Sequence, residues 1–487
     1  MNIMKLKKLI AGMPITVYRG SLDGDITGVC AHSRMVAPGN LFIAKKGSVD
    51  DGAKYIEQAI SAGASAILTD LPNPFLKGVI QLLHPYPERF EAYLAARFYN
   101  NPSRELFIVG ITGTNGKTTT TYLVKHLLDH LGSPCGLIGT IEYLVGSYRF
   151  EADRTTPDAI TNQKLLREMV KQGCKSAAME VSSHGLAQGR CAQITFDAAV
   201  FTNLSQDHLD YHKTMEAYAQ EKAKLFTSLG PDKTAIVNYE SSWKAAMVAQ
   251  CKARILSYGF TPECSLYADD LKLSPSGTEF TVHYQGEKAR FCWDLIGRYN
   301  ILNCLAALGV CLAKGIPLAA LPPHVAGFLS VRGRLEKVEN HRGLNMYVDY
   351  AHTPDALEKV LNCLQELKEG RIITVFGCGG DRDKGKRPHM GKAAEAGSDF
   401  TIVTSDNPRS ENPRQICEEI AAGFSTPYFT IVVDRRQAIE EAIRLATPKD
   451  LILIAGKGHE TYQLFSHQTI PFDDRKISQE IANRVSA

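Results

Sequence analysis

Several things are missing from this chain, and each absence excludes something. No apolar run approaches the ~18 residues that a membrane-spanning helix needs, so no insertion into a membrane is expected. Neither sign of charge dominates, with 55 Lys and Arg against 52 Asp and Glu. That removes the broad basic surface of a nucleic-acid-binding protein and leaves room only for local basic pockets. The 12 Cys include no Cys-x-x-Cys pair, which excludes a zinc ribbon and a dense disulfide framework. Scattered cysteines of this kind read as buried free thiols and point to a reducing cytoplasm. A hydrophobic share of 44% and a charged share of 22% exclude a disordered chain, and 39 Gly with 22 Pro are too few for a collagen-like one.

Met1 to Met13 imitates the charged start of a signal peptide through Lys5, Lys7 and Lys8. Pro14, Tyr18 and Arg19 interrupt it, so a short amphipathic first element is expected and secretion is not. At roughly 150 residues per domain, 487 residues suggest about three domains. The first block ends near Arg104 in a turn-rich stretch, Asn100 to Arg104. It holds a short alternating segment, Asn40 to Ala44, and a helix-like stretch, Tyr55 to Gly63.

The second block opens on an apolar strand at 106–111, a Gly-rich turn and a helical pattern from Lys117 to Leu131. Strand patterns at 176–181, 198–202 and 234–238 alternate with helical ones at 161–172 and 216–228. The third block, from Gly333, repeats the alternation, with strands at 372–376, 400–404, 430–433 and 451–454. Helical patterns at 390–397, 414–422 and 435–446 separate them. Alternation of this kind predicts parallel sheets with crossover helices, an α/β chain with two doubly wound units.

The Gly-rich turn reads Gly110-Ile-Thr-Gly113-Thr114-Asn115-Gly116-Lys117-Thr118-Thr119. Between a strand and a helix, such a loop cradles phosphates with backbone N–H groups and the helix N-terminus. Lys117 suits the outer phosphates, and the Thr118 hydroxyl suits Mg²⁺. The strict pattern wants Gly at 111, where Ile stands. An ordinary turn with a chance Lys-Thr is the plainer alternative, and the flanking strand and helix argue against it. The next strand ends at Glu180 before Val181-Ser182-Ser183-His184, an acid well placed for Mg²⁺ beside such a loop. A further strand ends in Thr202-Asn203-Leu204-Ser205-Gln206-Asp207-His208. A lone His in such a loop is commonly just a hydrogen-bonded residue, but these loops share one sheet edge and so form a rim.

Residues 113–119 (GTNGKTT), 179–186 (MEVSSHGL) and 202–212 (TNLSQDHLDYH) resemble the Mur ligase family, ATP-dependent amide-forming ligases of peptidoglycan synthesis. The likeness spans nearly the whole chain. It implies a UDP-substrate-binding α/β domain at 1–104, a central P-loop-type ATPase domain at 105–332 and a C-terminal Rossmann-like, amino-acid-binding domain at 333–487. Thr118, Glu180, His208 and Lys222 match metal-site positions, Lys222 as the lysine that the family carbamylates. A carbamate would make that cation an oxygen ligand for hard Mg²⁺; an unmodified helix lysine is the alternative. Lys117, Glu180, His208 and Lys222 are thereby implied in catalysis. ATP would be held by Gly113 to Thr119, by Asn300 and Asn303 in a Gly-x-x-Asn-x-x-Asn segment, and by Arg334 and Asp349 across the domain joint. Ser33, Ser48, Val49, Asp50, Thr155, Thr156, Ser182, Gln188 and Arg190 match contacts to the UDP-linked substrate.

The third block holds Asp406-Asn407-Pro408-Arg409. In the family this motif accompanies meso-diaminopimelate. The second carboxylate of that amino acid can take a bidentate guanidinium, whereas lysine would leave Arg409 unpaired. Arg387, Gly456 and Glu460 match the remaining amino-acid contacts. The implied reaction adds meso-diaminopimelate to UDP-MurNAc-L-Ala-D-Glu through an acyl phosphate, with Mg²⁺ as cofactor and ATP as co-substrate, by a cytoplasmic monomer. The rivals are a lysine-adding relative, a folylpolyglutamate synthetase, and a P-loop switch protein that binds ATP without ligation. The DNPR motif argues against the first, and the UDP-site residues of the first block argue against the second. For the third, Arg387, Arg409 and Glu460 would be incidental.

Overall fold

The computed structural model describes residues 3–47, 50–274 and 277–484. Three sheets in chain order carry the molecule. The first has the order Thr16–Arg19, Ile80–Leu83, Ala66–Thr69, Asn40–Ile43 and Gly28–Cys30. Only its first pair is antiparallel. Leu41, Ile43, Ala66, Leu68 and Leu82 line one core on it, closed by Leu94 and Phe98 of the helix Glu91–Phe98.

The central sheet has 11 strands. Its middle runs Cys135–Ile138, Ser176–Glu180, Phe107–Thr112, Ala198–Phe201, Thr234–Asn238 and Arg254–Gly259, all parallel. These strands are short and nearly continuous in apolar residues because helices cover both faces. Antiparallel ribbons extend each edge, Glu142–Val145 with Tyr148–Glu151 on one side and Leu266–Ser274, Gly277–Tyr284 and Glu287–Trp293 on the other. The sequence reading left these ribbons out. It also left out the helix Arg298–Ala313, which is buried along most of its length and so lacks the polar face that marks a surface helix.

The third sheet runs Glu336–Lys337, Asn345–Asp349, Leu451–Ala455, Ile372–Phe376, Phe400–Val403 and Phe429–Ile431, parallel after its first pair. Two cores flank it: Leu357, Leu361 and Met390 lie on one face, Ile439, Ile443 and Ile481 on the other. The fold class is therefore the expected α/β one. All 12 cysteines are free, but the reading of them as buried needs correction: Cys292 is exposed and Cys251 half-buried. No helix among the described residues is long and apolar enough to cross a membrane.

The linker between the first two sheets is pinned. Arg167 donates to Tyr99 O at 2.7 Å and Asn100 O at 3.1 Å, and it pairs with Glu105 at 2.6 Å. Asn100 and Asn101 adopt left-handed backbone there, which Asn tolerates better than most residues.

Candidate active site

The strand Phe107–Thr112 ends in the loop that feeds the helix Lys117–His130. Gly116, at φ +83°, is the last residue before that helix. A Cβ there would collide with Asn303 Oδ1, so the position needs glycine both for its backbone and for the approach of the buried helix Arg298–Ala313. Asn303 is held in turn by Thr120 Oγ1 at 3.4 Å, and its amide donates to Asn300 Oδ1 at 3.1 Å.

A cavity of about 580 Å³ opens over this loop. It is lined by Thr114 to Thr119, Glu180, His208, Asn300 and Asn303 of the central unit and by Arg334, Asp349 and Asp355's neighbours Thr353 and Ala356 of the third. Thr155 and Ser182 also face it. Gly113 lies in the loop behind the cavity lining, at φ +149°.

Lys117 donates to Gly113 O at 3.0 Å and Thr114 O at 2.8 Å and makes no salt bridge among the described residues. Burial, chiefly, lowers its pKa from the usual lysine value. Lys222 is buried on the helix Met215–Thr227 and donates to Gly113 O at 2.9 Å. Burial, reinforced by Lys117, pushes its pKa well below the ordinary lysine value. The neutral amine this favours is the nucleophilic form.

Glu180 is fully buried at the end of Ser176–Glu180. It accepts from Thr140 N at 2.9 Å, Thr140 Oγ1 at 3.0 Å and Thr118 Oγ1 at 3.2 Å. No Lys or Arg forms a salt bridge with it among the described residues. A buried hard oxygen anion without a cation, beside a hydroxyl, fits a hard divalent ion. No three His, Cys, Asp or Glu side chains among the described residues gather closely enough to hold a metal alone. Phosphate, water or a carbamate oxygen would have to complete such a site. His208, in left-handed backbone at φ +54°, turns Nε2 toward Asp207 Oδ2 at 3.4 Å. Loss of solvation in the rim, with His184, Lys117 and Lys222 nearby, brings its pKa down to about 4.

The third unit reaches the loop directly. Arg334 donates to Thr118 Oγ1 at 3.1 Å and lies over the Tyr350 ring. Asp349, raised in pKa mainly by burial, accepts from Leu335 N at 2.6 Å and Ala351 N at 2.7 Å. It thus fixes the joint as well as facing the cavity. Asp355 Oδ2 accepts from Asn115 Nδ2 at 2.8 Å and Ser205 Oγ at 2.6 Å. Sequence reasoning missed Asp355, Thr140 and Ser205. Thr353-Pro354-Asp355 does carry a helix-start signature, but nothing local says that it meets the phosphate loop.

The residues expected to contact a UDP-linked substrate are spread over two units. Thr156 is buried and donates to Glu180 O at 2.9 Å. Ser182 caps the helix Ser183–Ala187. Arg190 donates to Thr156 O at 2.8 Å and holds the exposed Gln188 at 2.6 Å. Ser33 is buried in the first unit. Asp50 is exposed there, hydrogen-bonded by Tyr55 and Lys54. Ser48 and Val49 lie outside the described residues.

In the third unit, two loops meet. Asn407, buried between Asp406 and Pro408, accepts from Lys457 Nζ at 3.0 Å and Leu464 N at 3.0 Å and donates to Glu460 Oε2 at 2.8 Å. Lys457, fully buried and overlooked in the sequence, pairs with Glu460 at 2.8 Å. Gly456, at φ +108°, faces Asp406 Oδ2. Arg409 sits in left-handed backbone at φ +51° and donates to Gly380 O at 2.7 Å. It has no carboxylate partner among the described residues. The setting of Arg387 differs from an open substrate contact. It is fully buried and paired with Glu411 at 2.9 Å and Glu419 at 2.5 Å, and its hydrogen bond holds Glu411 down at about 2. Its Nε keeps an unpartnered donor among the described residues, and Arg409 is the arginine with no carboxylate against it there.

Fold and site together define a phosphate-loop protein in which a second doubly wound unit closes over the loop. The chain belongs to the Mur ligase family. Family models match it as Mur ligase middle domain at 111–311, as Mur ligase, glutamate ligase domain at 333–458 and as Mur ligase family, catalytic domain at 25–99. It is 45% identical over 477 residues to the UDP-N-acetylmuramoyl-L-alanyl-D-glutamate–2,6-diaminopimelate ligase of Chlamydia trachomatis, covering 97% of this chain and 98% of that one. The enzyme of the same name from Caldanaerobacter subterraneus is 43% identical over 481 residues, covering 98% and 99%. A solved structure of a ligase with that name superposes with a TM-score of 0.71 at 33% identity, over 98% of each chain. The folylpolyglutamate synthase of Mycobacterium tuberculosis, at 19% identity and a TM-score of 0.63 over 75% of this chain and 91% of its own, shares the fold alone.

Proposed function

We propose that this chain is an ATP-dependent ligase that joins meso-diaminopimelate to UDP-N-acetylmuramoyl-L-alanyl-D-glutamate in peptidoglycan synthesis. The observation that carries the reading is the guanidinium of Arg409, without a carboxylate partner among the described residues, two residues along the chain from Asn407, which itself binds Glu460 in the unit that closes on the phosphate loop. A second carboxylate on the incoming amino acid would meet that guanidinium. The free oxygen of Glu460 would take its ammonium. Backbone N–H groups of 113–119 and Lys117 would hold the phosphates, with Arg334 neutralising charge from the opposite wall. The D-glutamate carboxylate would be phosphorylated and the amine would then displace phosphate. Thr156, Ser182 and Arg190 would position that carboxylate-bearing substrate, and Ser33, Ser48, Val49 and Asp50 its uridine diphosphate end.

Thr118, Glu180, His208 and a carbamylated Lys222 would hold Mg²⁺, which when bound supplies charge neutralisation at the transferred phosphoryl group. The buried, desolvated amine of Lys222 suits carbamate formation. We assign 1–104, 105–332 and 333–487 to the UDP-substrate, ATP and amino-acid domains, in a cytoplasmic monomer. The test is phosphate release from ATP with UDP-MurNAc-L-Ala-D-Glu and either meso-diaminopimelate, L-lysine or neither. Release with diaminopimelate alone is expected. Equal release with lysine overturns the amino-acid assignment, and release without either overturns the ligase.

A further inference from the structure

We infer that Arg435 and Asp474 are positioning residues for the amino-acid site, a buried clamp that sets the spacing of the two loops carrying Asn407, Arg409 and Glu460. This rests on the reading of that site given above. The two loops leave from the strands Phe400–Val403 and Leu451–Ala455, which are separated in the sheet by Ile372–Phe376. At the ~4.8 Å spacing of neighbouring strands, no ladder hydrogen bond can join them. Arg435 spans the gap. Its Nη2 donates to Ala455 O at 2.9 Å and its Nη1 to Ser405 O at 3.4 Å. Ser405 directly precedes Asp406 to Arg409, and Ala455 directly precedes Gly456 to Glu460.

Asp474, at the start of the helix Asp474–Arg484, holds the guanidinium in bidentate fashion, Oδ1 from Nε at 2.8 Å and Oδ2 from Nη2 at 2.7 Å. Both side chains are wholly buried. A buried pair of this kind is often replaceable by apolar residues without loss of stability, because desolvation offsets its attraction. What an apolar pair cannot supply is a fork that reaches two carbonyls at once. Above this floor, Lys457 and Gln463 join the loops, Gln463 Nε2 donating to Ser405 Oγ at 3.2 Å.

The test is the double variant Arg435→Met with Asp474→Leu, which leaves no lone buried charge. It should fold, by circular dichroism and a cooperative melt. Its KM for meso-diaminopimelate should rise about tenfold or more, with KM for ATP and for the UDP-dipeptide within about twofold of the parent. Amide exchange should quicken at 405–409 and 455–460 and not at 107–180. An unchanged diaminopimelate KM, or an equal rise in all three KM values, overturns the clamp. If the double variant does not fold, Arg435→Lys keeps the charge but not the fork, and a parental diaminopimelate KM in it overturns the clamp equally. Lack of diaminopimelate-dependent phosphate release by the parent overturns the amino-acid reading itself. The exchange result then decides the clamp alone: faster exchange confined to the two loops supports it, and unchanged exchange removes it.

Discussion

Arg409 holds a left-handed backbone that costs an ordinary residue roughly 1–3 kcal/mol, and its guanidinium reaches one carbonyl. Strain of that kind persists where surrounding structure enforces it. Here the Arg409 amide donates to Leu464 O at 3.0 Å. Arg409→Ala should lower kcat/KM for diaminopimelate roughly 10- to 150-fold, the range for losing a charged hydrogen bond of about 1.5–3 kcal/mol. ATP binding should stay parental, and steady-state kinetics with each substrate varied checks both. His459 gives a pH dependence. Burial, aided by Arg334, Arg332 and Lys457, brings it down to about 3, and among the described residues its Nδ1 has no hydrogen-bond partner. The unfolded chain, with an ordinary histidine near 6.5, binds this proton at higher pH than the folded chain does. Stability from this residue is therefore present above about pH 6.5 and declines as pH falls toward 3. His459→Gln should show a smaller drop in melting temperature between pH 7 and pH 5 than the parent. An equal drop removes the assignment.

The helix Arg298–Ala313 is the element on which the phosphate loop leans. Leu305, Leu308 and Val310 are wholly buried in the core shared with Val109, Leu123 and Leu127. Leu308→Ala should cost about 2–5 kcal/mol, because so enclosed a site collapses poorly, and the urea midpoint reads it. Gly116 is the complementary case. Gly116→Ala adds a side chain at positive φ and pushes on Asn303. It should raise KM for ATP more than it lowers the melting temperature, since the strain falls on the loop rather than the core.

At the scale of the whole molecule, the central and third units are joined by Ile296 and Tyr299, which pack into the third unit's core, and by polar contacts beside the cavity. Asp355 binds Asn115 and Ser205, and Arg334 binds Thr118. Closure over the phosphate loop is thus tied to the loop's own residues. Asp355→Ala removes two charged hydrogen bonds and should shift the balance toward an open form by tenfold or more. An increased radius of gyration in solution scattering without substrates, together with a lower kcat, is expected. An unchanged radius would mean that the contact does not govern closure.

Much of this was already legible in the order of residues. Alternating apolar runs and amphipathic stretches predict eight of the parallel strands of the second and third sheets to within two residues, because a strand buried on both faces must be apolar throughout; Cys135–Ile138, Arg254–Gly259 and Asn345–Asp349 went unread. The phosphate loop is local, a strand, a glycine-rich turn and a helix within one stretch of chain, so its chemistry is readable without the fold. The DNPR segment and the stretch Gly456 to Glu460 are equally local. What tertiary structure alone decided is everything that depends on distance between separate stretches. It buried Arg387 against Glu411 and Glu419 and left Arg409 without a carboxylate among the described residues. It set Lys457 beneath Asn407 and Glu460, ran Arg435 between two loops, and brought Asp355 to Asn115. A side chain's charge is written in the sequence. Which opposite charge it meets, and whether water remains to screen it, is decided only when the sheets stack.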